Sequence, residues 1–342
     1  MISIQFVSRS FRTNLVLTGL ICIGVLNTVG CASDQQIVAQ ANDMHKQLDP
    51  AIITDPVLNR YIQELGDRAV NEARRMAADG LGPEAQFSED STWMFTDVKF
   101  HLVNSKTLNA FTTGGQHVYL YTELFRQSKT EDEFAAVVSH EFAHIYARHV
   151  HNGMNRQYMV IGAAAAAGLA GYAVGGENRE QIAMGAAGVG AMAGQIWGAG
   201  YSRKDENEAD KYGFAMYVRA GWDPDLFGEF FKQMIAKGYD KGSDVSSSHP
   251  QLSDRVANSQ RRAAEWRRDN PNWEKSRRSD SASPARFREL QQRALSVGRS
   301  MPNDESLKAA QLMFAAFPSC VAPTEQQSQI DARQELLQAI EE

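Results

Sequence analysis

Apolar residues recur at helical spacing through the middle of the chain. Phe134, Val137, Val138, Phe142 and Ile145 fall on one flank of a helix. Thr130-Glu131-Asp132-Glu133 has the form of a capping box just ahead of them, so a helix is predicted from Thr130 over 130–152. A second is predicted over 203–220, with Gly221 at its C′ position. Asp223-Pro224 supplies an N-cap and a first helical residue for a third, ending at Lys237-Gly238. Residues 34–79 read as helical and polar outside, 252–268 as a charged helix, and 285–297, 304–316 and 324–341 as short helices. Alternation predicts strands at 94–103 and 118–121, joined through a Gly114-Gly115 turn. Loops are expected at 80–92 and 239–248, and a Ser/Arg/Asp/Pro linker at 269–284. The pattern is α+β and mostly helical. No repeat of about 34 residues is found, which argues against a tetratricopeptide array.

Two segments break this pattern. Arg9 and Arg12 precede an uncharged apolar run from Leu15 to Leu26, short for a bilayer span. Thr28-Val29-Gly30-Cys31-Ala32-Ser33 follows, and small residues before a cysteine resemble a bacterial lipobox cleaved before Cys31. Thr28 departs from the leucine usual there, and an ordinary signal peptide cut after Ala32 is the alternative. Residues 1–30 are therefore read as a lipoprotein signal peptide, with lipid on Cys31. Ala32 as the next residue favours the outer membrane. Residues 159–200 hold two uncharged Ala/Gly-rich runs flanking Glu177-Asn178-Arg179-Glu180. Their length invites a membrane hairpin, but alanine and glycine insert weakly and suit close helix packing. The reading is a helical hairpin beside the helix predicted over 130–152, soluble or dipping into the membrane.

Composition narrows the compartment and the partners. The chain has three cysteines, and Cys22 goes with the signal. Cys31 and Cys320 lie in segments of different character, an unpromising disulfide. Formal charge is −6, becoming −8 once Arg9 and Arg12 leave. A mildly acidic chain without a basic block gives no reason to expect nucleic acid.

The chemistry is concentrated in His140-Glu141-Phe142-Ala143-His144, an H-E-x-x-H motif. Residues four apart share a helix face, so both imidazoles reach one Zn²⁺ and Glu141 sits beside them to handle a proton. Zinc hydrolases use three protein ligands and keep a position open for water. Glu206 and Asp210 also share a face, whereas Glu208 points about 160° away from Asp210. Glu206 is the candidate ligand and Asp210 the carboxylate behind an imidazole. His151 lies on the metal face, but about 10 Å beyond His144. His149 falls on the apolar flank and is read as a satisfied, partly buried histidine. His45, His101 and His117 have no spacing relation to the motif and are read as structural or surface residues.

Four stretches together resemble family forty-eight of the metallopeptidases, the group that includes the CaaX prenyl protease, the heat-shock membrane protease and the periplasmic barrel-assembly-enhancing protease. They are Asn109-Ala110-Phe111-Thr112-Thr113-Gly114-Gly115, the H-E-x-x-H helix, Ser202-Arg203-x-x-Glu206-x-x-x-Asp210, and His249-Pro250-x-x-x-x-Arg255. They span roughly residues 40–265. The resemblance implies a zincin-type fold with a small sheet beside the motif helix. It divides the chain into 31–268 as the peptidase domain and 269–342 as a linker with a helical appendage. It implies one Zn²⁺ held by His140, His144 and Glu206, with Glu141 as general base, Asp210 assisting, and Arg255 behind the ligands. Asn109, Ala110 and Phe111 introduce a strand, His117 to Tyr121, that resembles the family's active-site edge strand, where an extended peptide could pair. An ordinary core strand is the other reading. His249, after a Gly/Ser loop, would plug the fourth zinc position; the alternative is a structural contact with Arg255 or the following helix. The implied function is a zinc endopeptidase for unfolded or misassembled envelope proteins on the periplasmic side of the outer membrane, with outer-membrane assembly machinery as partner. The alternative is a periplasmic chaperone or assembly factor with a latent or mainly structural zinc site.

Overall fold

The computed structural model describes residues 34–83, 93–153, 201–239, 251–272 and 282–316. Prolines divide the first helical stretch. α1 (Asp34–Leu48) leads into one turn of 3-10 helix, Asp49–Ala51, and then an extended link. Asp55 caps α2 (Pro56–Ala78), accepting the Val57 and Leu58 backbone N–H at 3.1 and 3.0 Å. Pro56 occupies the first helical position, where its missing N–H is not needed. The helical region expected over 34–79 is thus two helices, because a proline inside a helix loses a donor and clashes with the preceding turn.

β1 (Lys99–Val103), β2 (Ala110–Thr112) and β3 (His117–Tyr121) form a mixed sheet in the order β1-β3-β2. β3 is parallel to β1 and antiparallel to β2. This corrects the sequence reading in three ways. Gly114-Gly115 closes a β2–β3 hairpin instead of joining 94–103 to 118–121, and Gly114 has φ +81°, which glycine adopts readily. A 3-10 turn occupies 93–95 and Asp97 has φ +53°, so β1 starts only at Lys99. Most consequentially, β3 is the central strand. Its two edges are already taken, so no peptide can add to it; among the described residues β2 is the outer strand on that side. Beyond β1, the link after α1 covers the edge: Ile53 N–H donates to Leu102 O and Asn104 N–H to Ala51 O, both at 2.8 Å.

After the sheet come α3 (Thr122–Gln127), α4 (Glu131–Tyr146), α5 (Arg203–Arg219), α6 (Glu229–Ala236), α7 (Leu252–Asp269), α8 (Pro284–Ser300) and α9 (Glu305–Ala316). Asp223 does cap the segment after α5, but a 3-10 turn at Pro224–Leu226 and Gly228 precede α6, where one helix was expected.

Strand alternation sorts the sheet residues into two faces. Phe100, Leu102, Ala110, Val118 and Leu120 join the main core with α2 and α4. The Phe100 ring lies 6.2 Å from that of Phe142, and Gly66 of α2 lets the same ring approach the helix backbone. His101, Phe111, His117, Tyr119 and Tyr121 face the other way, beneath α1 and α9. Phe314 of α9 meets the rings of Phe111, Tyr119 and Tyr121 at 5.9, 5.5 and 5.4 Å.

The helices beyond residue 269 share this core. Phe287 of α8 meets Phe125 edge-on at 5.2 Å, and the Gln291 amide donates to the Phe125 and Ser128 carbonyls at 2.6 and 2.8 Å. The architecture is α+β and mostly helical, with the small sheet beside the motif helix, as the sequence pattern predicts. Among the described residues no helix is long and apolar enough to cross a membrane. The readings for 1–30, 159–200 and 324–341 lie outside the described residues.

Candidate metal centre

α4 begins where the capping chemistry places it. The Thr130 hydroxyl accepts the Glu133 backbone N–H at 3.2 Å, while the Glu133 carboxylate reaches Lys129 N–H at 2.6 Å instead of closing the box on Thr130. From there α4 is buried on every side; only Asp132 keeps partial exposure. Imidazoles and carboxylates on such a helix need polar partners, and α5 brings them. A capping box between Ser202 and Asp205 sets its first turn, one residue before Glu206. Gly213 then permits the close crossing: an added Cβ would stand 3.0 Å from His140 Cα and 3.1 Å from its backbone nitrogen.

The result is a tight cluster of His140, His144 and Glu206, whose candidate ligand atoms all lie within 4.8 Å of one another. His140 Nε2 is 3.1 Å from His144 Nε2. The Glu206 carboxylate lies 3.4 Å from His140 Nε2 and 3.9 Å from His144 Nε2. Two imidazole nitrogens and one carboxylate suit Zn²⁺ and match the ligand set of hydrolytic zinc sites. Both rings are also anchored through their other nitrogen. His140 Nδ1–H donates to Asp210 at 2.9 Å. His144 Nδ1 and His149 Nδ1 are 3.0 Å apart. This leaves each Nε2 aimed at the common centre, the arrangement expected behind metal-binding histidines. The residues therefore fit a zinc ion.

Arg255 of α7 completes the network. It grips Asp210 with two bonds of 2.9 and 2.7 Å, lies 3.5 Å from Glu206, and stacks over Phe231 at 3.9 Å. Burial alone would raise the Asp210 pKa; the Arg255 charge and the His140 hydrogen bond outweigh it and hold the carboxyl well below its usual range. Burial and Arg255 both oppose a charge on His140, yet Asp210 and Glu206 raise its pKa to about 9. The carboxylates thus make this point strongly attractive to a cation.

The helix end corrects two expectations. α4 ends at Tyr146 and helix resumes only at His149, so the helix expected over 130–152 is broken at 147–148, where Arg148 takes a left-handed conformation, φ +57°. Asp34 of α1 pairs with Arg148 and sits 3.1 Å from His151 Nδ1, bracing that turn. The break folds His149 back against His144, where a continuous helix would have placed it on the apolar flank. Glu208, turned away from the ligands as expected, faces His149 Nε2 at 3.6 Å.

The other predicted positions are distributed as follows. Glu141 is fully buried on α4. Asn109, Ala110 and Phe111 are buried: Asn109 Oδ1 accepts Ala110 N–H at 2.8 Å, Ala110 lies in the core, and Phe111 stacks on Tyr119 at 4.9 Å, away from α4. Cys31 and His249 lie outside the described residues. Three neighbours of the centre were not read as site residues in the sequence. These are His149, Gly213 and Tyr201, whose ring stacks 3.6 Å from His144 and whose hydroxyl donates to the Thr112 carbonyl of β2 at 3.4 Å. Only Gly213 had a local signal, a glycine inside a helical pattern.

Comparison with known proteins agrees with this geometry. A Vibrio cholerae relative is 32% identical over 220 residues, 63% of this chain and 41% of its own length. The β-barrel assembly-enhancing protease of Escherichia coli is 26% identical over 218 residues, with 63% and 41% covered. The mitochondrial metalloendopeptidase OMA1 of Arabidopsis thaliana is 25% identical over 232 residues, with 66% and 44% covered. The chain spans about two fifths of the length of the two bacterial relatives. Residues 61–263, more than half of the chain and the stretch that carries His140, His144 and Glu206, match peptidase family M48, and the chain belongs to that family.

Proposed function

We propose that this protein is a zinc metalloendopeptidase. The observation that carries the reading is the pair of imidazoles, His140 and His144, each anchored from behind and converging on Glu206, with Glu141 on the same buried helix. When bound, Zn²⁺ supplies Lewis acidity that polarises the scissile carbonyl and acidifies the attacking water. Glu141 takes the proton of that water and passes it to the leaving amine. Asp210 works through His140, fixing its tautomer, and His149 does the same for His144. Arg255 keeps Asp210 ionised and steers no substrate itself. Substrate runs beside β2, the outer strand that Asn109 precedes and that contains Ala110 and Phe111, and pairs through its backbone. Such recognition selects extended segments, so the proposed substrates are unfolded or misassembled proteins. The relatives' names support placing them in the bacterial envelope, and the lipobox-like Cys31 supports a lipid anchor at the outer membrane.

The test is a comparison of wild type with Glu141→Gln on a permanently unfolded polypeptide. Retained zinc with lost cleavage is expected. Cleavage that survives the substitution would leave the general-base role without support. Equal activity toward folding intermediates, without cleavage by either form, would favour the chaperone reading.

A further inference from the structure

A second histidine cluster lies on the sheet face turned away from α4. In the β1–β3 register Lys99 is opposite His117 and His101 is opposite Tyr119, so the two histidines are diagonal neighbours on one face. α1 crosses that face and adds His45. Its ring centroid is 4.1 Å from His117 and 4.6 Å from His101. One nitrogen from each of the three lies within 4.8 Å of the others. His101 Nε2 and His117 Nδ1 are 2.9 Å apart.

Two of the three opposite nitrogens are tied down, those of His117 and His45. His117 Nε2 lies 2.9 Å from Asn42 Oδ1, which only accepts, so this nitrogen carries the hydrogen and Nδ1 offers a lone pair to the cluster. His45 Nδ1 lies 3.1 Å from the Tyr119 hydroxyl, leaving its Nε2 for the cluster. Outer anchors of this kind orient imidazoles that bind metal.

We infer that His45, His101 and His117 form a second metal site, structural in role, that takes Zn²⁺ or another imidazole-preferring divalent ion such as Ni²⁺ or Cu²⁺. Binding turns the His45 ring out of its near-parallel stack on His117, 13° between planes, so that the three nitrogens converge. The ion takes the place of the hydrogen between His101 and His117, His101 carrying its hydrogen on Nδ1 instead, and water fills the remaining position. The site clips α1 to β1 and β3. α1 also holds Arg148 and His151 through Asp34, so the clip steadies the turn that folds His149 against His144.

The experiment uses the full chain, loaded with Zn²⁺, dialysed, and assayed for bound metal and for cleavage of an unfolded polypeptide. Wild type should hold two zinc ions per chain. His45→Gln and His101→Gln should each hold one and keep cleaving, which shows that the fold and the first centre persist. His144→Ala should also hold one, and Zn²⁺ should raise its melting temperature; His45→Gln in that background should abolish the rise. Cu²⁺ loaded into His144→Ala should show nitrogen hyperfine coupling that His45→Gln removes. Should His101→Gln fail to fold, His45, only half-buried at the end of a helix, carries the test. A single zinc in wild type that is lost with His144→Ala, or two zinc ions retained in His45→Gln, would overturn the second site. Loss of the first centre alone would show as missing cleavage in every variant and is read separately.

Discussion

The molecule holds two groups of buried or half-buried histidines, and burial acts on both in the same direction. In the cluster of His45, His101 and His117 nothing reverses it, and His101 falls to about 3. In the cluster of His140 and His144, Asp210 and Glu206 overcome it, and His140 rises to about 9. The difference is the carboxylates delivered by α5. Both arrangements suit a metal ion, but with different consequences. Two imidazoles and a carboxylate, backed by an ionised Asp210–Arg255 pair, hold an ion rigidly while Glu141 stands by on the same helix. Three neutral imidazoles, without a carboxylate general base among the cluster, hold an ion that only ties elements together.

The comparison is broken most sharply by Glu141→Gln. Cleavage should fall by about 10²–10⁴-fold, the range for loss of a positioned general base, with zinc content unchanged at both centres. Arg255→Met comes next. It takes the cation from the buried Asp210 and leaves that carboxylate only its His140 hydrogen bond, which costs up to about 3–5 kcal/mol. Chemical denaturation should register that loss, and metal analysis should show zinc leaving the first centre while the second stays filled. His149→Ala removes the anchor behind His144. Zinc affinity of the first centre should drop about 10–100-fold in chelator competition.

Gly213→Ala probes the helix crossing. Its methyl meets His140 backbone, not the far end of a flexible side chain, and the α4–α5 spacing must give way. A stability loss of about 1–3 kcal/mol is expected from such overpacking, together with reduced cleavage. A normal melting temperature would show that the helices have slack at the crossing. The smallest effect is expected from Asn42→Ala, which unties His117. Zinc at the second centre should weaken about tenfold, with cleavage unchanged.

Much of the first centre was legible because it is made of local geometry. His140 and His144, and again Glu206 and Asp210, are four residues apart on helices whose ends are marked by Thr130 and Gly221. Helical spacing alone separated Glu206 and Asp210 from Glu208, and the structure places the first two against His140 and the third away from it. The α+β class was legible for the same reason, since each element carries its own period. The strands were less so. β2 is three residues long and shows no alternation to count. The parallel pairing of β1 with β3 depends on which neighbour each strand finds, and so the edge and core readings of 117–121 both stood until the structure made it the central strand.

What the sequence determined by itself is therefore the content of single elements: which helices form, where several of them start and stop, and which of their side chains share a face. The tertiary structure decided how those faces meet. It folded His149 onto His144 through one left-handed residue, Arg148. It made Gly213 a contact point with His140. It gathered His45, His101 and His117 from a helix and two strands. Spacing along the chain reports the period of one element, because backbone geometry repeats within it. Distances between elements follow from register, crossing and burial, which have no period to read.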